Sequence, residues 1–140
     1  IRLRTLAVPA GCPLYEKVTA GEFKVLSDDA LVVELKLLIE NLEGITSELY
    51  SDHVLNLFED LAGRLPDDKQ TMLNMLNRYL DLPQKERNLY RLGRRTGYFR
   101  SLKDLDNRLL IGPVRKLRKS LLEEGRSVDQ FIEEMMARFI

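Results

Sequence analysis

The chain has 140 residues, of which 44% are hydrophobic and 31% are charged, with 22 Lys and Arg against 22 Asp and Glu. This length suits one domain with a buried core, and the apolar fraction is too high for intrinsic disorder. The chain has one cysteine, one histidine and no run of about 18 apolar residues, which excludes internal disulfides, Cys- or His-rich metal sites and a transmembrane helix.

Residues 1–26 are predicted to form an N-terminal arm that contains β-structure. Residues 1–4 alternate apolar and basic side chains at period two, as a half-buried strand does. Short β-type runs at 14–19 and 22–26 flank Ala20-Gly21 and form a candidate β-hairpin. An arm this short is not stable alone, so it must pack on the helices or on a partner.

Residues 27–140 are predicted to form the helical bundle. Ser27 is a good N-cap, and apolar residues follow it every three or four positions through residue 49, which predicts a long first helix with a break near Gly44. Val32, Val33 and Ile39 widen this apolar stripe. A wide stripe favours a core helix of a bundle over an isolated coiled coil.

Caps and apolar spacing predict the remaining helices. Ser101 and Asp104 resemble a capping box, Gly112-Pro113 indicates a stop and a restart, and Ser127 begins the last helix. The fold class is therefore mainly α, a single bundle of about six helices with a short β-containing arm. The further helices are predicted near residues 52–61, 67–80, 84–92, 101–109, 114–124 and 127–140.

No motif in the sequence assembles a catalytic site. The strings GxxxxGK[ST], GxGxxG, GxSxG and HExxH do not occur. Cys12 and His53 would have to pair without an orienting third group, and adjacent carboxylates such as Glu123 and Glu124 diverge by about 100° on a helix. We expect no enzymatic activity, no cofactor, no metal and no small-molecule substrate.

The most informative segment is basic. Residues 85–126 carry 13 basic and 5 acidic side chains, whereas residues 1–84 carry 8 and 14, so the neutral total hides a dipolar chain. Such a segment is typical of a site for an anionic partner, with Tyr98 and Phe99 placed to stack on unpaired bases. The candidate anion-binding residues are Arg87, Arg91, Arg94, Arg95, Arg100, Arg115, Lys116 and Lys119.

The same basic residues also admit a structural interpretation. They could form a solvated face, or pair with carboxylates of the first half of the chain, and exposed pairs of this kind contribute only about 0–1 kcal/mol each. On that basis, reversing the charges of Arg94 and Arg95 is expected to leave the melting temperature nearly unchanged. The sequence pI of about 6.8 is also lower than expected for a dedicated nucleic-acid binder.

The C-terminal helix provides a second candidate surface. Phe131, Met135 and Phe139 lie on one apolar face, and flexible methionine beside phenylalanine suits an adaptable interface. The alternative is core packing, because a bundle of this size needs that apolar area.

These patterns lead to two functional hypotheses. The first is a non-enzymatic regulatory or adaptor module that recognises a protein, either a different partner or a second copy of itself. The alternative is a nucleic-acid-binding regulator that uses the basic segment 85–119. In either case we expect an intracellular protein with no membrane partner, in the cytoplasm or, as the alternative, in the nucleus.

Overall fold

The fold, described for residues 1–137 of a computed structural model, is mainly helical and carries a small antiparallel sheet, which confirms the predicted fold class. Within these residues there are six α-helices and one 3₁₀ helix. The elements are α1 (Pro13–Thr19), α2 (Asp28–Asn41), β1 (Glu48–Tyr50), β2 (Ala62–Arg64), α3 (Lys69–Leu80), α4 (Gln84–Arg95), the 3₁₀ helix (Leu102–Asp106), α5 (Arg108–Glu123) and α6 (Val128–Met136).

Helix α2 begins where the sequence predicts. The Ser27 hydroxyl accepts a hydrogen bond from the Ala30 amide at 3.3 Å, and two aspartates occupy the first turn. The predicted break near Gly44 is confirmed, because α2 ends at Asn41, but the apolar spacing beyond it does not form a helix to residue 49. Gly44 adopts a φ of 67°, which a helix does not accommodate, and Leu49 is buried in strand β1 instead.

The β-structure of the N-terminal arm lies at its start. Arg2 forms a parallel bridge to Tyr50 beside the β1–β2 pair, and the Leu3 amide donates to the Tyr50 carbonyl at 2.8 Å. The candidate hairpin over residues 14–26 is wrong, because α1 occupies its first half and starts at Pro13, which suits the first helical position. The division of the chain at residue 26 stays a prediction.

Residues 51–61 form an irregular buried segment and not the predicted helix. Leu55, Leu57, Phe58 and Leu61 are all buried, so the apolar pattern marks core contacts correctly but not the backbone conformation. An irregular segment at this depth needs hydrogen-bond donors for its carbonyl groups from elsewhere in the molecule.

Four aromatic rings occupy the centre of the core. Phe58 packs edge-to-face on Tyr79 with ring centroids 5.4 Å apart, and Tyr90 lies 5.7 Å from both of them. Phe99 extends the cluster, 6.5 Å from Tyr90. The cluster therefore joins α3 and α4 to the irregular segment 51–61 and to the turn that follows α4.

Helices α5 and α6 pack against α4 and complete the bundle. The predicted stop at Gly112-Pro113 is wrong, because α5 runs through Pro113. Proline leaves the carbonyl four residues earlier, that of Leu109, without its helical donor. Within the described residues, no helix has both the length and the apolar character needed to cross a membrane.

Candidate functional site

Two of the candidate anion-binding residues are buried against one carboxylate. Arg91 Nε donates to Asp28 Oδ2 at 3.1 Å, and Arg95 Nη2 donates to Asp28 Oδ1. Arg91 also pairs with Asp129 of α6. Burial would lower the pKa of the Arg91 guanidinium, but the neighbouring Asp28 and Asp129 carboxylates outweigh burial and raise that pKa.

Arginines 94 and 95 also supply donors to the irregular segment 51–61. Arg94 Nε donates to the Leu57 carbonyl at 2.9 Å, and its Nη2 donates to the Asn56 carbonyl at 3.2 Å. Arg95 Nη1 donates to the Leu55 carbonyl at 2.5 Å. Because a guanidinium has five N–H donors in a fixed geometry, these side chains replace the backbone bonds that a helix would have made.

The prediction that Arg91, Arg94 and Arg95 present an anion-binding face is therefore wrong. Their exposed fractions are 3%, 8% and 7%, and each of them donates hydrogen bonds to carboxylates or backbone carbonyls of the same chain. The structural interpretation, pairing with the acidic first half, holds for these three residues. The expectation that charge reversal at Arg94 and Arg95 leaves the melting temperature nearly unchanged assumed exposed ion pairs. The burial of both side chains contradicts that assumption.

The two aromatics after α4 have different environments. Tyr98 is 44% exposed and stays available for contact, whereas Phe99 is fully buried. The Phe99 ring lies directly against Gly93, where a Cβ atom would come within 2.1 Å of Phe99 Cδ2. The prediction that Phe99 stacks on a bound base is therefore wrong, because its ring belongs to the core.

The remaining basic residues near α4 are more accessible. Arg87 is half-buried, lies 3.9 Å from Asp29 and donates to Gln84 Oε1 at 2.7 Å. Arg100 is exposed in the turn before the 3₁₀ helix. These two side chains do not join the buried cluster, and Arg100 remains open to a partner.

Helix α5 brings several cations to one exposed face, which we call the α5 stripe (Arg108, Arg115, Lys116 and Lys119). All four side chains are exposed, and among residues 1–137 an ion pair forms only for Lys119, with Glu123 at 3.6 Å. At 100° per residue, Arg115 and Lys119 project within about 20° of Arg108. Three of these residues are among the candidates predicted from the sequence. Arg108 is not, and it follows Asn107, whose role as a helix cap was not predicted.

The candidate interface on the last helix is mostly packed. Phe131 is half-buried against the core, and the Arg126 guanidinium lies 5.7 Å from its ring centroid. Met135 is also half-buried. Phe139 lies outside the described residues. The core-packing alternative therefore applies to Phe131, while an interface role for this helix stays a prediction.

A second surface, which was not predicted from the sequence, lies on α2. Val32 and Ile39 are fully buried, but Val33 is 45% exposed and Leu37 is 53% exposed. With 3.6 residues per turn, Val33 and Leu37 project away from the core. The widened apolar stripe in the sequence indicates these residues, but the stripe alone does not separate the buried side chains from the exposed ones.

The arm adds further exposed apolar side chains. Residues 6–26 contain no buried residue, although large apolar side chains recur throughout this segment. Phe23, Val25 and Leu26 are 37%, 38% and 48% exposed and lie directly before the N-cap of α2. We call Phe23, Val25, Leu26, Val33 and Leu37 together the arm–α2 surface.

Among the described residues, no group of three or more His, Cys, Asp or Glu side chains is placed to hold a metal ion. Cys12 is a half-buried free thiol at the start of α1, and His53 Nδ1 accepts a hydrogen bond from the Leu55 amide at 3.3 Å. No protein-family model matches the chain, and no curated protein or solved structure matches it either.

Proposed function

We propose that this protein is a recognition module that binds another protein through the arm–α2 surface. The observation that carries the proposal is the apolar outward face of α2. Val33 and Leu37 remain about half exposed on a helix whose opposite face is already in the core. A helix that is apolar on both faces is typical of one covered on both sides.

The arm supports the same proposal. Residues 6–26 make their backbone hydrogen bonds only locally, and α1 buries no residue of its own. Ordering such a segment costs conformational entropy that its own contacts do not offset. A partner that covers Phe23, Val25 and Leu26 together with α2 would supply the missing apolar burial.

The charges around this surface indicate the chemistry of the partner. Residues 6–45 carry seven acidic and three basic side chains, and two of the acidic ones, Asp28 and Asp29, already face arginines of α4. Glu34, next to Val33 in the sequence, and Glu43, two residues after the end of α2, are both exposed. The expected partner therefore presents an apolar patch with Lys or Arg at its rim.

A symmetric dimer through this surface is less favourable. A two-fold contact places the same patch against itself, so the carboxylates of one copy would face those of the other. We therefore favour a different protein over a second copy. The regulatory or adaptor role, the absence of catalysis and the cytoplasmic location belong to this proposal as expectations.

The proposal can be tested by site-specific photo-crosslinking in cells. A benzophenone side chain at position 37 should capture a discrete protein, whereas the same group at Gln70, exposed on α3, should not. The captured protein is then purified and titrated with the wild type, with Leu37→Asp and with the matched control Gln70→Asp. Circular dichroism verifies that each variant is folded.

We expect Leu37→Asp to weaken binding at least about 100-fold, because it places a charge in an apolar interface, and Gln70→Asp to leave binding unchanged. Equal capture at positions 37 and 70, or equal binding of the two variants, would overturn the proposal. Light scattering tests whether the surface binds a second copy of the chain. A wild-type dimer that Leu37→Asp dissociates would contradict the choice of a different protein as the partner.

A further inference from the structure

We propose that the α5 stripe binds the phosphate backbone of a nucleic acid. This inference is independent of the arm–α2 surface, since it concerns a different helix and a different chemistry. Four exposed cations follow one face of α5, with Glu123 alone pairing one of them among the described residues. The partner of such a face must carry repeated negative charge.

The spacing of the cations fits a phosphate backbone. From Arg108 to Lys119 the helix rises about 16 Å, at 1.5 Å per residue. At about 3.4 Å of duplex axis per phosphate, one strand presents roughly five phosphates over that length. The stripe therefore supplies nearly one cation per phosphate, and its two guanidiniums can bind phosphate oxygens bidentately.

The centre of the stripe favours nucleic acid over an acidic protein. Gly112 lies on the same face, and a Cβ atom there would have no neighbour within 4 Å, so a ligand can approach the helix backbone closely. Protein interfaces have an apolar centre and a polar rim, and charged residues are depleted at that centre. The stripe has the opposite arrangement, with charge at its centre and exposed Leu109 and Leu122 near its two ends.

A membrane surface fits less well. Amphipathic helices that bind lipid insert an apolar face beneath their cations. The apolar face of α5, formed by Ile111, Val114 and Leu121, is buried in the core and unavailable for insertion. Only the cationic face of α5 is therefore free to contact a ligand.

Neighbouring residues extend the positive surface. Residues 100–119 carry seven basic and two acidic side chains. Asp104 is occupied by the backbone amides of Arg100 and Ser101, and Asp106 pairs with Arg78. Arg100 lies before the 3₁₀ helix and Lys103 lies within it; both are exposed, and this helix packs on α5. A longer nucleic acid would therefore meet further cations beyond the stripe.

The test uses fluorescence anisotropy with labelled single- and double-stranded DNA and RNA oligonucleotides of mixed sequence. Four neutralised phosphates predict that affinity falls about 100-fold between 50 and 200 mM salt. The stripe variant Arg115→Glu/Lys116→Glu/Lys119→Glu should abolish binding. The control Lys17→Glu/Lys24→Glu/Arg64→Glu changes the net charge by the same amount at exposed positions elsewhere and should retain binding.

Each outcome decides the proposal. Salt-dependent binding that only the stripe variant loses would support it. An absence of binding at low salt would overturn it, and so would equal loss in both triple variants, which would indicate a response to net charge alone. A polyglutamate competitor that displaces the oligonucleotide at equal charge concentration would overturn it in favour of an acidic protein.

Discussion

Asp28 accepts a hydrogen bond from Arg91 Nε at 3.1 Å, although 63 residues separate them and both side chains are buried. The contact joins the first turn of α2 to the middle of α4. It also assigns a structural role to Arg91, Arg94 and Arg95 of α4, which pair with carboxylates or donate hydrogen bonds to backbone carbonyls inside the molecule.

The first prediction concerns this carboxylate. Asp28→Asn keeps the shape of the side chain but leaves Arg95 without a buried counter-charge, so the free energy of unfolding should fall by about 3 kcal/mol or more. Urea denaturation followed by circular dichroism measures the loss. The exposed Asp67 provides a control, and Asp67→Asn should stay within about 0.5 kcal/mol of the wild type. Equal stability of the two variants would contradict the buried pair.

The second prediction separates the charge of Arg94 from its geometry. Arg94→Lys retains the positive charge but cannot reach the Asn56, Leu57 and Phe99 carbonyls together. We expect a loss of about 2–4 kcal/mol, because buried carbonyls remain without donors. Thermal unfolding should show no comparable change for Arg115→Lys on the exposed α5 stripe. A wild-type melting temperature for Arg94→Lys would mean that charge alone matters at this position.

The third prediction tests the contact between Gly93 and Phe99. Gly93→Ala places a methyl group where the Phe99 ring lies, and displacement of that ring should cost about 2–3 kcal/mol. Gly112→Ala makes the same chemical change in open space and should stay within about 1 kcal/mol of the wild type. Chemical denaturation of both variants gives the comparison. Equally stable variants would contradict the packing contact, because helix propensity alone favours alanine at both positions.

The fourth prediction concerns alkaline pH. Tyr79 Oη donates to Asp29 Oδ1 at 2.5 Å, and burial together with this carboxylate raises the pKa of Tyr79 far above its ordinary value. The unfolded chain therefore releases this proton first, near pH 10, so the stabilising contribution is complete below about pH 10 and declines as the pH rises.

Tyr79→Phe should lower the free energy of unfolding at neutral pH by about 1–3 kcal/mol, since it removes the hydrogen bond to Asp29. It should also make the decline in stability above about pH 10 shallower. Denaturation curves across that range measure both effects. An unchanged alkaline slope would contradict the assignment of Tyr79 as a contributor.

The sequence predicted the helical class because caps and apolar spacing act locally. Ser27 and Ser127 accept the amide hydrogen bonds expected of N-caps, and Ser101 forms its capping box with Asp104. In the segments that were predicted wrongly, contacts between residues distant in sequence determine the backbone conformation. The apolar run at 51–61 resembles a helix, but arginines from α4 satisfy its carbonyls in an irregular conformation.

The candidate site was predicted only in part for a related reason. The i, i+4, i+7 spacing of Arg87, Arg91 and Arg94 identifies one face of a helix but not what that face contacts. Burial depends on Asp28, which is distant in sequence, and no local pattern connects it to α4. Arg115, Lys116 and Lys119 remain exposed because the opposite face of their helix already supplies its core contacts.

The shared guanidinium of Arg91 has a consequence for truncation. It contacts Asp28 near the start of α2 and Asp129 in the first turn of α6, so helices from both halves of the chain neutralise one cation. Proteolysis that removes α6 would weaken the attachment of α2 to α4, and cleavage before residue 29 would loosen α6. Loss of Asp28 or loss of α6 would leave the buried Arg91 guanidinium with one of its two carboxylate partners.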